Sequence, residues 1–101
     1  MNPFDLQKMM KQAQQLQERL QQQMAEARVE GNAGGGMVTV VMNGAKQVQS
    51  ITIDPEAVSK DDVGMLQDLI VAALADAHRK ADEIMQKTMG GMMGGLKIPG
   101  L

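Results

Sequence analysis

Lys8, Lys11, Gln15, Arg19 and Gln22 recur at intervals of three and four residues. At about 100° per residue they fall on one face of a helix. Lysine and arginine neutralise phosphate charge, and glutamine supplies hydrogen bonds to phosphates or base edges. Such a face could lie along a nucleic-acid backbone. A second basic group comes late in the chain, at Arg79, Lys80 and Lys87. On a helix Arg79 lies opposite the apolar stripe, with Lys80 and Lys87 flanking it. An ordinary solvated helix face is the simpler account of both groups, and composition alone favours it.

Other chemistry is poorly supplied. His78 is the only histidine and sits beside an apolar stripe, where a boundary role suits it better than proton transfer. Asp54 and Glu56 flank Pro55 and read as a strand-end turn. Gly34, Gly35 and Gly36 lack the Lys-Ser/Thr of a phosphate loop and precede a strand, so they read as a tight link between strands. No cysteine is present and no cluster has metal-ligand spacing. We therefore expect no enzyme activity, no cofactor, no metal and no small-molecule substrate.

Charge is unevenly distributed around a net value of −2. Residues 1–20 carry Lys8, Lys11 and Arg19 against Asp5 and Glu18. Residues 77–101 carry Arg79, Lys80, Lys87 and Lys97 against Asp82 and Glu83. Residues 21–76 are strongly acidic. The absence of cysteine fits a reducing cytoplasm. Residues 1–6 hold no apolar run of the signal-peptide kind, and the longest apolar stretch, residues 69–75, is far short of the roughly 20 needed to span a bilayer. A cytoplasmic chain without a membrane partner is expected.

These side chains need elements to hold them. Leu6, Met9, Ala13, Leu16, Leu20, Met24 and Ala27 repeat at helical spacing, so the first helix spans about 4–27. Arg28–Asn32, Met37–Met42 and Gln47–Ile53 read as strands. Asn43-Gly44 signals a two-residue type I′ hairpin. Val48 breaks the alternation set by Ile51 and Ile53, which leaves the third strand's register uncertain. Ser59 with Asp62 resembles a capping box for a second helix over about 60–88. The glycines after Met89 end it, giving a domain over 1–88 and a flexible Gly/Met-rich tail over 89–101. With aromatic content of 1%, the core must be thin, and oligomerisation is the usual remedy.

The run Leu6-Gln7-Lys8-Met9-Met10-Lys11-Gln12-Ala13-Gln14 resembles the N-terminal helix of the YbaB/EbfC family of nucleoid-associated proteins. Gly35-Gly36-Met37-Val38, Asn43-Gly44 and Ile51-Thr52-Ile53-Asp54-Pro55 resemble its β segment. Leu66-Gln67-Asp68-Leu69-Ile70, then Ala72-Ala73 and Asp76-Ala77, resemble its C-terminal helix. Gln67 departs from the acidic residue common there. The ordered match covers nearly the whole chain. The resemblance implies a tweezer-like homodimer that binds DNA on the nucleoid through its first and last helices.

The sequence thus points to an α+β fold: a long N-terminal helix, a three-stranded antiparallel meander and a long C-terminal helix. The expected partners are duplex DNA and a second copy of the chain. The expected contacts are Lys8, Lys11, Gln15, Arg19, Arg79, Lys80 and Lys87. The alternative is a dimeric clamp whose helices hold other proteins.

Overall fold

The computed structural model describes residues 2–93. Helix α1 spans Pro3–Glu26. Asn2 caps it, accepting the Phe4 N–H on Oδ1 at 3.1 Å, and Pro3 fills the first helical position, where a missing N–H costs nothing. Strands β1 (Arg28–Ala33), β2 (Val38–Asn43) and β3 (Val48–Ile53) form one antiparallel meander in the order β1-β2-β3. A 3-10 turn at Pro55–Ala57 follows, with Asp54 Oδ1 accepting the Glu56 N–H at 2.9 Å. Helix α2 then runs from Val63 to Met93. The α+β architecture and its order of elements are those the sequence pattern implies.

Four local features differ from expectation. The β2–β3 connection is not a type I′ turn. Asn43 and Gln47 close a three-residue loop, with the Asn43 N–H on the Gln47 carbonyl at 3.0 Å, and the residue with positive φ is Lys46, at 65°. This is the longer hairpin in which a left-handed residue ends the turn. Gly44 serves a different purpose. Its N–H donates to the Met24 carbonyl at 2.8 Å, and a Cβ there would lie 3.0 Å from that oxygen and from the Met24 sulfur. Close approach of the α1 terminus, not backbone handedness, favours the glycine.

The second difference resolves the register. Val41 pairs with Ser50 but Met42 pairs with Val48, so β3 carries a bulge at Gln49. One extra residue returns Val48 to the face already occupied by Ile51 and Ile53. Third, α2 is capped by Asp62 rather than Ser59: Asp62 Oδ1 accepts the Met65 N–H at 3.1 Å, and the Ser59 hydroxyl oxygen accepts only the Asp61 N–H of the preceding turn. Fourth, α2 continues through Gly90 and Gly91 to Met93 instead of stopping near 88. Each glycine costs about 1 kcal/mol against alanine, which weakens a helix already propagating without breaking it. The remaining part of the expected tail, 94–101, lies outside the described residues.

The core is a single layer between α2 and the sheet. Ala73, Ala77 and Ala81, spaced by one helical turn each, pack on Val29, Val38, Val40 and Met42. Small residues let the helix axis come close, and Gly31 marks the nearest point: a Cβ there would lie 2.3 Å from the Ala73 carbonyl oxygen and 2.4 Å from the Ala77 nitrogen. The helix covers β1 and β2. Beyond Ile53, β3 is left bare on this face: Val48 and Ile51, paired opposite Met42 and Val40, are exposed.

Helix α1 is handled differently. Only Met24 is buried and Leu20 half-buried; Leu6, Met9 and Leu16 of the same stripe are about half exposed. The stripe that a helix needs to cover has no cover within one chain beyond its last turn. The molecule is correspondingly elongated, at 70 × 28 × 17 Å.

Candidate nucleic-acid interface

Lys8, Lys11, Gln15 and Arg19 are all exposed on α1. Their placement follows from the last turn of α1, where the buried Met24 side chain and the Gly44 N–H on the Met24 carbonyl fix the rotation of the helix about its axis. Lys8 and Arg19 are separated by about 16 Å along that axis. Among the described residues none of these side chains enters an ion pair or a hydrogen bond. Their charge and donors are available to a partner. Gln22, further along the same face, donates to Glu26 at 3.4 Å, so the acidic end of the face is partly satisfied internally.

The basic residues of α2 are in another condition. Arg79 Nη1 pairs with Glu83 Oε1 at 2.7 Å and Nη2 with Asp76 Oδ1 at 2.9 Å. Its guanidinium is raised further above its usual range, first by the Asp76 hydrogen bond. Lys80 points toward the sheet: Nζ donates to the Glu30 carbonyl at 2.7 Å and lies 3.2 Å from Asp76 Oδ2. Lys87 is exposed and makes no ion pair among the described residues. The structure therefore does not present Arg79, Lys80 and Lys87 as one free patch.

Asp76 is the hub that spacing did not reveal. It accepts the Asn32 N–H at 3.0 Å as well as holding both cations. These contacts, the Asn32 amide first and the Arg79 and Lys80 side chains after it, lower its pKa from 3.8 to about 2. The i, i+3 and i, i+4 spacing from Asp76 to Arg79 and Lys80 was a legible signal for pairing. The contact from Lys80 to the β1 backbone was not, because it depends on how closely α2 crosses the sheet. Arg28 and Lys60, outside both expected groups, are also exposed and unpaired among the described residues.

Among the described residues no three His, Cys, Asp or Glu side chains gather as a metal-binding group, and no helix is long and apolar enough to cross a membrane. Asp54 and Glu56 belong to the 3-10 turn, and His78 is exposed on α2. Gly34, Gly35 and Gly36 all have positive φ and form the β1–β2 hairpin loop, the tight link expected of them.

A family model described as the YbaB/EbfC DNA-binding family matches residues 1–96. The chain belongs to that family. A nucleoid-associated protein of Koribacter versatilis is 52% identical over 100 residues, covering 99% of each chain. One from Roseiflexus sp. is 49% identical with the same coverage. The crystal structure of an uncharacterized protein from Helicobacter pylori superposes with a TM-score of 0.78 over 92% of this chain and 98% of that one. Its sequence identity is 22%, so it bears on the fold alone. In this YbaB/EbfC member the unpaired cations concentrate on α1, while α2 spends two of its three internally, Arg79 on Asp76 and Glu83 of the same helix and Lys80 on Asp76 and the Glu30 carbonyl of β1.

Proposed function

We propose that the protein is a nucleoid-associated DNA-binding protein that grips duplex DNA as a homodimer in the bacterial cytoplasm. The observation that carries this is the unpaired face of α1, Lys8, Lys11, Gln15 and Arg19, on a helix that projects from the fold. Family membership and the names of the relatives support DNA as the partner. Lys87 adds to the contact from α2. Arg79 and Lys80 contribute less, since each must first exchange an internal carboxylate for a phosphate.

The same geometry supports dimerisation. The stripe of Leu6, Met9 and Leu16 and the bare Val48 and Ile51 are apolar surface that a second copy would cover. Two copies also double a basic footprint that is small in one chain. A dimer of net negative charge still binds DNA when its basic helix faces are segregated from the acidic middle. Binding of this kind goes mainly to phosphates and is strongly salt dependent.

The exposed stripe equally suits a protein partner held between two helices, which is the second reading. Fluorescence anisotropy on a random-sequence duplex at several salt concentrations separates them. Phosphate binding collapses between about 50 and 200 mM salt, whereas apolar groove binding persists. The Lys8→Ala/Lys11→Ala double variant should lower the log–log salt slope by about 2. An unchanged slope and affinity would remove this face from the interface. Failure of the unmodified, folded protein to bind even at low salt would favour the protein clamp.

A further inference from the structure

Phe4 is the only aromatic residue of the chain and is 78% exposed. A ring of this size is ordinarily the largest single contributor a small core can recruit. Here the core is made of Val, Ala and Met, and the ring stands outside it. Its backbone is nonetheless well held, by the Asn2 cap and by Pro3 at the first helical position.

Its direction is the informative part. At about 100° per residue, Phe4 falls inside the arc spanned by Lys8, Lys11, Gln15 and Arg19, one turn beyond Lys8 toward the free end. The apolar stripe of Leu6, Met9, Leu16, Leu20 and Met24 lies on another side of the helix. A second copy packed along that stripe would leave the ring uncovered. Whatever meets the four polar side chains meets Phe4 as well.

We infer that Phe4 is a stacking wedge for duplex DNA, entering an opened base step at the tip of α1 while the cations behind it hold the phosphates. This rests on the DNA-binding reading above and assigns it a residue that charge does not identify. The ring has no hydrogen-bonding group, so what it offers a duplex is stacking and exclusion of water. Apolar side chains inserted in this way unstack a step and bend the duplex. Opening is easiest at TA and CA/TG steps, so the wedge carries a sequence preference that lysine–phosphate contacts lack.

The test uses the full chain and two duplexes of equal length and composition, one with a central TA step and one with the same bases in an A-tract. Affinity is read by anisotropy, unstacking by 2-aminopurine beside the step, bending by end-to-end energy transfer, and assembly by sedimentation. The unmodified protein should favour the TA duplex, brighten the 2-aminopurine and shorten the end-to-end distance. Phe4→Ala should bind that duplex at least about fivefold more weakly, lose both optical signals and keep its salt slope, because no charge is removed. Phe4→Leu should retain part of the bend, since leucine also wedges. Lys8→Ala/Lys11→Ala should lower the slope yet keep the TA preference. If the unmodified protein binds DNA and Phe4→Ala matches it in affinity, bend and fluorescence, the face acts by charge alone and the wedge is wrong. Altered sedimentation of Phe4→Ala would reassign the ring to subunit packing. No DNA binding by the unmodified protein would overturn the underlying reading together with the wedge.

Discussion

Replacing Gly31 by alanine should be the most damaging single-methyl change in the sheet. The added Cβ would lie 2.3 Å from the Ala73 oxygen, 2.4 Å from the Ala77 nitrogen and 2.7 Å from the Ala77 Cβ. Ordinary contact begins near 3.4 Å, so the helix and strand must separate by about 1 Å. Two of the three obstructing atoms are backbone and cannot rotate aside. A gap of about 0.5–1 Å forfeits a quarter to a half of the dispersion energy across a contact. That loss would run along the whole Ala73–Ala77–Ala81 seam and would stretch the Lys80–Glu30 hydrogen bond. Overpacking costs about 1–3 kcal/mol, and this site belongs at the upper end, about 3 kcal/mol. With a urea m-value of about 2 kcal/mol/M, the midpoint should fall by about 1.5 M. Far-UV circular dichroism is the readout, because the chain has no Trp or Tyr. Protein concentration must be held constant if unfolding is coupled to subunit dissociation. Gly35→Ala is the control: nothing lies within 4 Å of its Cβ, and its φ of +68° imposes only left-handed strain. That strain is about 1–2 kcal/mol. A Gly31→Ala midpoint at or above that of Gly35→Ala would refute the close-approach argument.

Asp76 makes an acid-sensitive tie between α2 and β1. Its pKa in the fold, about 2, lies below the ordinary 3.8, so its stabilisation is complete above the ordinary value and is lost as pH falls toward 2. Asp76→Asn should therefore be less stable at neutral pH and lose less on acidification through that window, as followed by acid unfolding. Parallel acid curves for the two proteins would show that the carboxylate contributes nothing. Gly90→Ala with Gly91→Ala should firm up the end of α2, since neither Cβ meets an obstacle. Helix propensity favours each change by about 1 kcal/mol, and amide exchange at residues 86–91 should slow. Unchanged exchange would mean that the segment is not helical in solution.

The elements were legible because each has a local cause. Asn2 and Pro3 start α1, the three- and four-residue spacing of its apolar side chains carries it forward, and Val38, Val40 and Met42 alternate as a half-covered strand should. What spacing could not supply depends on other parts of the chain. Asn43-Gly44 looks like a tight hairpin until Met24 arrives against Gly44, and the bulge at Gln49 appears only when Met42 is seen opposite Val48. Of the proposed contact residues, the α1 set is as open as the wheel suggests. Arg79 and Lys80 are not, because Asp76, Glu83 and the Glu30 carbonyl are within reach. Gly31 gave no sign of its role, as a glycine in a strand reads only as a weak point until a helix crosses it.

The attachment of α1 has a mechanical consequence. The helix is a rod fixed at one end, where Gly44 donates to the Met24 carbonyl and the Met24 side chain is buried. From Met24 to Phe4 the rod is about 30 Å long. A swing of about 10° at the root moves the tip by about 5 Å, more than the roughly 3.4 Å rise between neighbouring base pairs. Leverage of this kind converts a small change in the packing around two residues into a full step of register at the far end. If the protein grips a duplex as proposed, the compliance of that root, rather than the chemistry along the rod, would govern how much variation in pitch or curvature it tolerates.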